Sequence, residues 1–195
     1  IRGNNYVAGI AAKNVGIIEN VYNQAAIIGK DYTAGIASVN NGTIKNAYNK
    51  GEITGTTYVG GISAYADGTI ENTYNIGVIY GKSTIGAVAG FLNTKLVLNS
   101  YYDSRILSAY RDAYGYKKPT SGVGNSIDSA TVKPLDKEFM IGLNAIGTGS
   151  FQMSFSDVNA WTVNRNVDGL ENYPQLKVFS MSKKDKVLAR SKVST

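Results

Sequence analysis

The residues predict an all-β protein, a right-handed parallel β-helix (solenoid) of about four 26-residue coils closed by a small C-terminal cap of mixed strand and one short helix. Three observations carry that expectation. First, NNYVAGIAAKNVGIIENVYNQAAIIG from Asn4, KDYTAGIASVNNGTIKNAYNKGEITG from Lys30 and TTYVGGISAYADGTIENTYNIGVIYG from Thr56 align without a gap at a 26-residue period. A fixed period of this length means that each unit buries its apolar side against its neighbours. Second, each unit divides into short runs rich in β-branched and aromatic residues, separated by glycine-bearing corners. Third, no unit holds an i, i+3, i+4, i+7 apolar stripe, and glycine recurs too often for helix.

Within the second unit the strands are expected at Tyr32 to Ala37, Thr43 to Tyr48 and Glu52 to Thr54, three per coil. Asn-Asn-Gly and Asn-Lys-Gly between them are expected to supply the positive φ angles of the corners. With coils about 4.8 Å apart, four of them make a rod of about 19 Å. A fourth copy starts at Lys82, but Asn99 and Tyr101 follow Asn72 and Tyr74 by 27 residues, so one residue is inserted before them. Ile1-Arg2-Gly3 matches the ends of the later units, and the chain is therefore expected to be a piece that begins in mid-repeat, with further repeats before it.

Strand alternation assigns faces. Ile18, Ile44 and Ile70 share a parity with Tyr22, Tyr48 and Tyr74, and with Tyr101 in the worn copy, and this ladder is expected to be the core. Glu19, Lys45 and Glu71 fall on the opposite parity as an outer row of alternating charge, worth about 0.2–1 kcal/mol per pair. Asn20, Asn46 and Asn72 fall on the apolar parity, where an amide must be satisfied, and an asparagine ladder is expected there. In the first strand Gly9, Gly35 and Gly61, with Ala11, Ala37 and Ser63, make a strip of small residues opposite Ile10, Ile36 and Ile62, the candidate binding face for a host protein or polysaccharide.

Beyond Ser104 the register ends. Residues 105 to about 133 read as a long irregular connection, Asp136 to Ile146 as a short helix with Asp136 as N-cap and Gly147 as its stop, and Trp161 to Val163 and Gln175 to Phe179 as two strands around a turn-rich stretch from Asn166 to Asn172. The organisation expected is a solenoid over 1–104, a capping region over 105–180 that covers the open edge of the last coil, and a basic linker or tail over 181–195.

Composition excludes several functions. The chain has no histidine and no cysteine, so it cannot build a Ser-His-Asp triad, a Cys-His pair, a His-Glu-x-x-His zinc helix, a thiolate metal site or a disulfide. Carboxylates do not recur at one corner, since Asp67 stands where the other units have Val15 and Asn41, and no catalytic pair or calcium row is expected. No catalytic residue, cofactor or metal is expected. The formal charge is +6, but residues 183–195 hold five cations and one carboxylate, which leaves +2 for everything before them; the excess reads as a tail without aromatics, not a nucleic-acid surface. No run of about 18 apolar residues is present to insert in a membrane.

The pattern Gly60-Gly61-Ile62 followed by Asp67-Gly-Thr-Ile-Glu-Asn-Thr-Tyr-Asn-Ile-Gly77 resembles the GLUG repeat of secreted and surface-anchored bacterial proteins, and the likeness covers about half of the chain. Tyr101-Tyr102-Asp103, Trp161 and Tyr173-Pro174-Gln175-Leu176 follow in the order such arrays often show. Ala25 departs from the pattern of Gly51 and Gly77, which leaves the first corner open to a different geometry. The resemblance implies an extracellular, non-catalytic part of an adhesin or of an IgA-cleaving metallopeptidase, with adjacent domains of the parent protein as partners. Two functions follow: a stalk or spacer that presents those domains, or a recognition module that binds along one solenoid face.

Overall fold

Each 26-residue unit closes one coil with four strands. The computed structural model describes residues 1–93, 96–108, 111–125, 132–141, 145–147, 152–163 and 173–180. The first coil holds β1 (Val7–Ala8), β2 (Ala11–Asn14), β3 (Ile17–Asn23) and β4 (Ile27–Ile28); the second holds β5 (Asp31–Ala34), β6 (Ala37–Asn40), β7 (Thr43–Asn49) and β8 (Ile53–Thr54). The third holds β9 (Thr57–Gly60), β10 (Ser63–Ala66), β11 (Thr69–Asn75) and β12 (Ile79–Tyr80); the fourth holds β13 (Ser83–Gly86), β14 (Ala89–Leu92) and β15 (Val97–Asp103). The expected first strand is two strands, because the chain turns at Gly35-Ile36.

Equivalent strands pair in parallel and form four sheets along the solenoid. Ile18 pairs with Ile44 and Ile44 with Ile70, while Tyr22, Tyr48, Tyr74 and Tyr101 follow one another in register. The inserted residue is placed by the same pairings: Ala66 faces Leu92, 26 residues on, whereas Ile70 faces Val97, 27 on.

The corner glycines do not use positive φ. Among the described residues Gly115 alone of the glycines does so, at +83°. Gly42, Gly51, Gly68 and Gly77 are needed for clearance instead: a Cβ at each would lie 2.0–2.1 Å from a carbonyl oxygen of the coil before it. Asparagine makes the turn. Asn49 Oδ1 accepts from Gly51 N and its Nδ2 donates to Gly51 O, and Asn75 does the same at Gly77. Asn23 makes the identical pair of bonds to Ala25, so the first corner keeps the geometry of the others. These asparagines also stack: Asn23 donates to Asn49 and Asn49 to Asn75, each at 2.8 Å and buried, and Asn14 donates to Asn40 at 2.8 Å.

Positive φ appears in mid-strand. Asn20, Asn46, Asn72 and Asn99 have φ of 54°, 50°, 52° and 46°, a region that asparagine enters more readily than other side chains. A left-handed residue breaks the two-residue alternation, which corrects the face assignment. Ile44 and Ala47, three apart, both enter the interior core with Ile36, Ile62 and Ile70, whereas Tyr48 and Tyr74 point to the opposite side and join a separate cluster. The isoleucines are core; the tyrosines lie on the outer flank. A third cluster of Val7, Ile27, Ile53, Val59, Ile79 and Ile85 fills the other interior compartment.

The C-terminal region covers two surfaces. One part lies on the end of the stack, where Ala87 N donates to Ser121 O and Val88 N to Gly122 O, and where β16 (Val132–Leu135) pairs in parallel with β15. The expected irregular connection therefore extends the backbone ladder of the last coil. The other part, the flank strap, crosses the tyrosine column. The expected helix to Ile146 is only α1 (Lys137–Met140): Ile141 is extended, Asp136 gives no side-chain cap bond and instead accepts from the Ser104 hydroxyl, and Leu143 lies outside the described residues. The second expected strand is short, with β18 (Gln175–Leu176) pairing antiparallel with β17 (Trp161–Thr162) before α2 (Lys177–Ser180). The stretch from Asn166 to Asn172 and the basic tail from residue 181 also lie outside the described residues.

Candidate functional site

Two tyrosine columns run along the solenoid. In the first, Tyr22, Tyr48 and Tyr74 stack with centroids 5.0 Å apart and planes within 10°. The flank strap covers it from end to end. Phe155 meets Tyr101 edge-on at 5.7 Å, Trp161 leans on Tyr74 and Tyr48 at 5.7 and 6.2 Å, and Phe179 meets Tyr22 edge-on at 4.9 Å. Polar contacts descend the coils in the same order: Ser154 N donates to Tyr101 Oη at 2.8 Å, Ser156 N to Asn72 Oδ1 at 2.9 Å, and Asn46 Nδ2 to Asp157 Oδ2 at 3.0 Å. Tyr74 Oη donates to Pro174 O.

The mid-strand asparagines thus have two sets of partners. Asn99 donates to Asn72 and Asn72 to Asn46, each at 3.3 Å, and the remaining capacity of Asn46 and Asn72 goes to the strap. Of the charged row, Lys45 Nζ lies 3.1 Å from Glu19, whereas Glu71 accepts the Ser156 hydroxyl at 2.6 Å.

A buried clasp ties the strap to the last coil. Asp103 is 2% exposed and accepts from Arg105 N at 3.0 Å, from Arg105 Nε at 2.9 Å and from Tyr173 Oη at 3.0 Å. Burial opposes ionisation of Asp103, yet the bonds from Arg105 and Tyr173 outweigh it and hold the carboxyl below its ordinary range. Burial, and then the Asp103 charge, push the Tyr173 hydroxyl up.

The second column is open. Tyr6, Tyr32 and Tyr58 stack at 4.8 and 4.9 Å, within 15° of parallel, and Tyr6 is 51% exposed. Beside them Tyr65 and Phe91 stack at 5.3 Å and meet Tyr58 edge-on at 6.5 and 5.9 Å. Desolvation first, and then the neighbouring Tyr58 and Tyr6, raise the Tyr32 hydroxyl above the ordinary phenol value. Tyr6, Tyr32 and Tyr58 also have positive φ. Sequence reading missed this column; its signal is the tyrosine at the third residue of each gapless unit.

The small-residue strip is largely buried. Ala37 and Ser63 are wholly buried, as are Ile36 and Ile62 on the other parity, because the chain turns through the interior there. A Cβ at Gly9, Gly35 or Gly61 would lie 2.2–2.3 Å from the carbonyl oxygen of the next coil. These glycines let the coils close on one another, and Ala11 beside them is only partly exposed. What the outer surface offers chemically is hydroxyls, ring edges and a few charges. Among the described residues no helix is long and apolar enough to cross a membrane, and no group of three or more aspartates or glutamates is gathered as metal ligands.

Comparison with protein-family models, with curated proteins and with solved structures finds no match.

Proposed function

We propose that this chain is a non-catalytic shaft of a bacterial cell-surface or secreted protein, a spacer that presents adjacent domains. The observation that carries the reading is the flank strap: by touching Tyr22, Tyr48, Tyr74 and Tyr101 it joins all four coils side-on, as a stiff element requires. The GLUG-like pattern supports an extracellular setting, with which a cysteine-free chain is compatible. The same pattern supports the narrower reading of an accessory region of a secreted metallopeptidase. The chain can be labelled through engineered cysteines without interference. Nitroxide labels on Val15→Cys and Asn93→Cys, both exposed positions in the first and fourth coils and about 14 Å apart at the coil spacing, are expected to give one narrow dipolar distance distribution by electron paramagnetic resonance that does not change when reporter domains are fused to both ends. A broad or multi-peaked distribution would sink the shaft.

The open column favours a second reading, an adhesin-type module that recognises host protein or polysaccharide along one face. Contiguous aromatics that remain partly accessible, as Tyr6, Tyr32 and Tyr58 do, are a surface feature put to such use. In a panel of host glycoproteins and polysaccharides, saturable binding abolished by Tyr32→Ala at a temperature where the variant is still fully folded supports it; silence across the panel counts against it.

A further inference from the structure

Residues 111–118, Arg-Asp-Ala-Tyr-Gly-Tyr-Lys-Lys, form a hairpin against the edge of the third coil. Asp112 N donates to Tyr116 O, Gly115 turns with φ of +83°, and Gly81 and Lys117 exchange two backbone bonds of 2.9 and 2.7 Å. Between hairpin and coil lies an open cleft of about 250 Å³ lined by Thr54, Tyr80, Asp112 and Tyr116. Lys82 Nζ sits 4.7 Å from the centre of the Tyr116 ring and Lys118 Nζ 5.8 Å from that of Tyr80. Each ammonium thus lies beside a ring that lines the cleft, a contact worth about 0.5–1 kcal/mol at an exposed site. With Arg111 and Lys117, the hairpin and the residue facing it carry four cations against one carboxylate.

We propose that this cleft binds a carboxylated saccharide, a uronate-type unit of an acidic polysaccharide. Tyrosine rings supply contact for the C–H face of a sugar, and Lys82 and Lys118 supply charge for its carboxylate. Asp112 discriminates. Its Oδ1 is taken by Tyr114 N and Tyr116 N at 2.9 and 2.8 Å, and among the described residues no donor reaches Oδ2. That oxygen accepts a sugar hydroxyl, whereas it repels a phosphodiester, which brings negative charge and no donor. The cations therefore select for acid and the carboxylate selects for hydroxyls. The site is separate from the tyrosine columns, and its failure leaves the shaft reading standing.

The test is calorimetric titration of the whole chain at physiological salt with polygalacturonate, with neutral dextran and single-stranded poly-dT as comparators. Saturable binding is expected for polygalacturonate alone. Lys82→Gln and Lys118→Gln, which touch only the rim, are each expected to weaken it about tenfold. Asp112→Asn keeps an oxygen for the two backbone donors, and is expected to weaken the uronate and to strengthen poly-dT. No polygalacturonate binding, binding untouched by both lysine changes, or poly-dT bound as tightly as polygalacturonate would each overturn the proposal.

Discussion

Tyr22, Tyr48 and Tyr74 on one flank, and Tyr6, Tyr32 and Tyr58 on another, stack at nearly the same spacing on the same three coils, yet the first column is covered more fully than the second. Stacking is therefore a property of the repeat, set by the distance between coils, and burial is a property of what lies outside it. Tyr48 and Tyr74 are at most 1% exposed because Trp161, Tyr173 and Leu176 close over them, whereas Tyr32 and Tyr58 on the same two coils stay partly exposed and Tyr6, in the first coil, is half exposed. Tyr65 and Phe91 provide a partial cover for the upper part of the open column, in the edge-on geometry that Phe155 and Phe179 adopt on the covered one.

The contrast can be broken most forcefully at Trp161. Trp161→Ala empties the centre of the strap contact and is expected to cost about 3–5 kcal/mol, read as a lower urea midpoint. An effect below 1 kcal/mol would mean that the cover is not what protects the first column. Gly35→Ala acts on the coil spacing beneath both columns, by placing a Cβ against the Gly61 carbonyl, and is expected to cost about 1–3 kcal/mol. Acid tests the clasp. Because Asp103 titrates below its ordinary value when folded, its contribution is complete above the unfolded carboxyl value, near pH 4, and is lost as pH falls through the folded value. Urea titrations below pH 4 are expected to show falling stability, with a shallower fall in Asp103→Asn.

Tyr32→Ala, on the open column, is expected to cost only about 1 kcal/mol, since a half-buried ring loses fewer contacts. If it costs as much as Tyr74→Ala, the two columns are equally buried in solution and the comparison fails. Lys45→Ala sits lowest, at about 0.2–1 kcal/mol, because its bond to Glu19 is exposed and salt-screened.

Much of the solenoid was legible before any coordinates. The 26-residue period gives the pairing of Ile18, Ile44 and Ile70, the extra residue before Asn99, and the opposition of Glu19 to Lys45. Alternation failed at one point for a physical reason. It presumes extended backbone throughout, and a left-handed residue at Asn46 turns the next side chain to the face that strict counting denies it. The costly position of an amide on an apolar parity was the available hint, because asparagine is the side chain that tolerates that conformation. Sequence assigns the corner glycines to positive φ whereas they are clearances, a distinction that requires knowing which carbonyl lies overhead. Nothing periodic marks residues 154–163 and 173–179, so the placement of the strap along the flank, and the use of Asn46 and Asn72 to hold it, could not be counted out from the repeat.

The lengthwise run of that strap changes how the rod comes apart. A stack held only by neighbour contacts frays from its ends one layer at a time, and amide exchange would rank its layers accordingly. Here Ser154, Ser156, Asp157 and Phe179 bolt successive layers to one backbone, so no layer can leave alone. Slow amides in all four are expected to open together, and the array behaves as a single kinetic unit despite its modular descent.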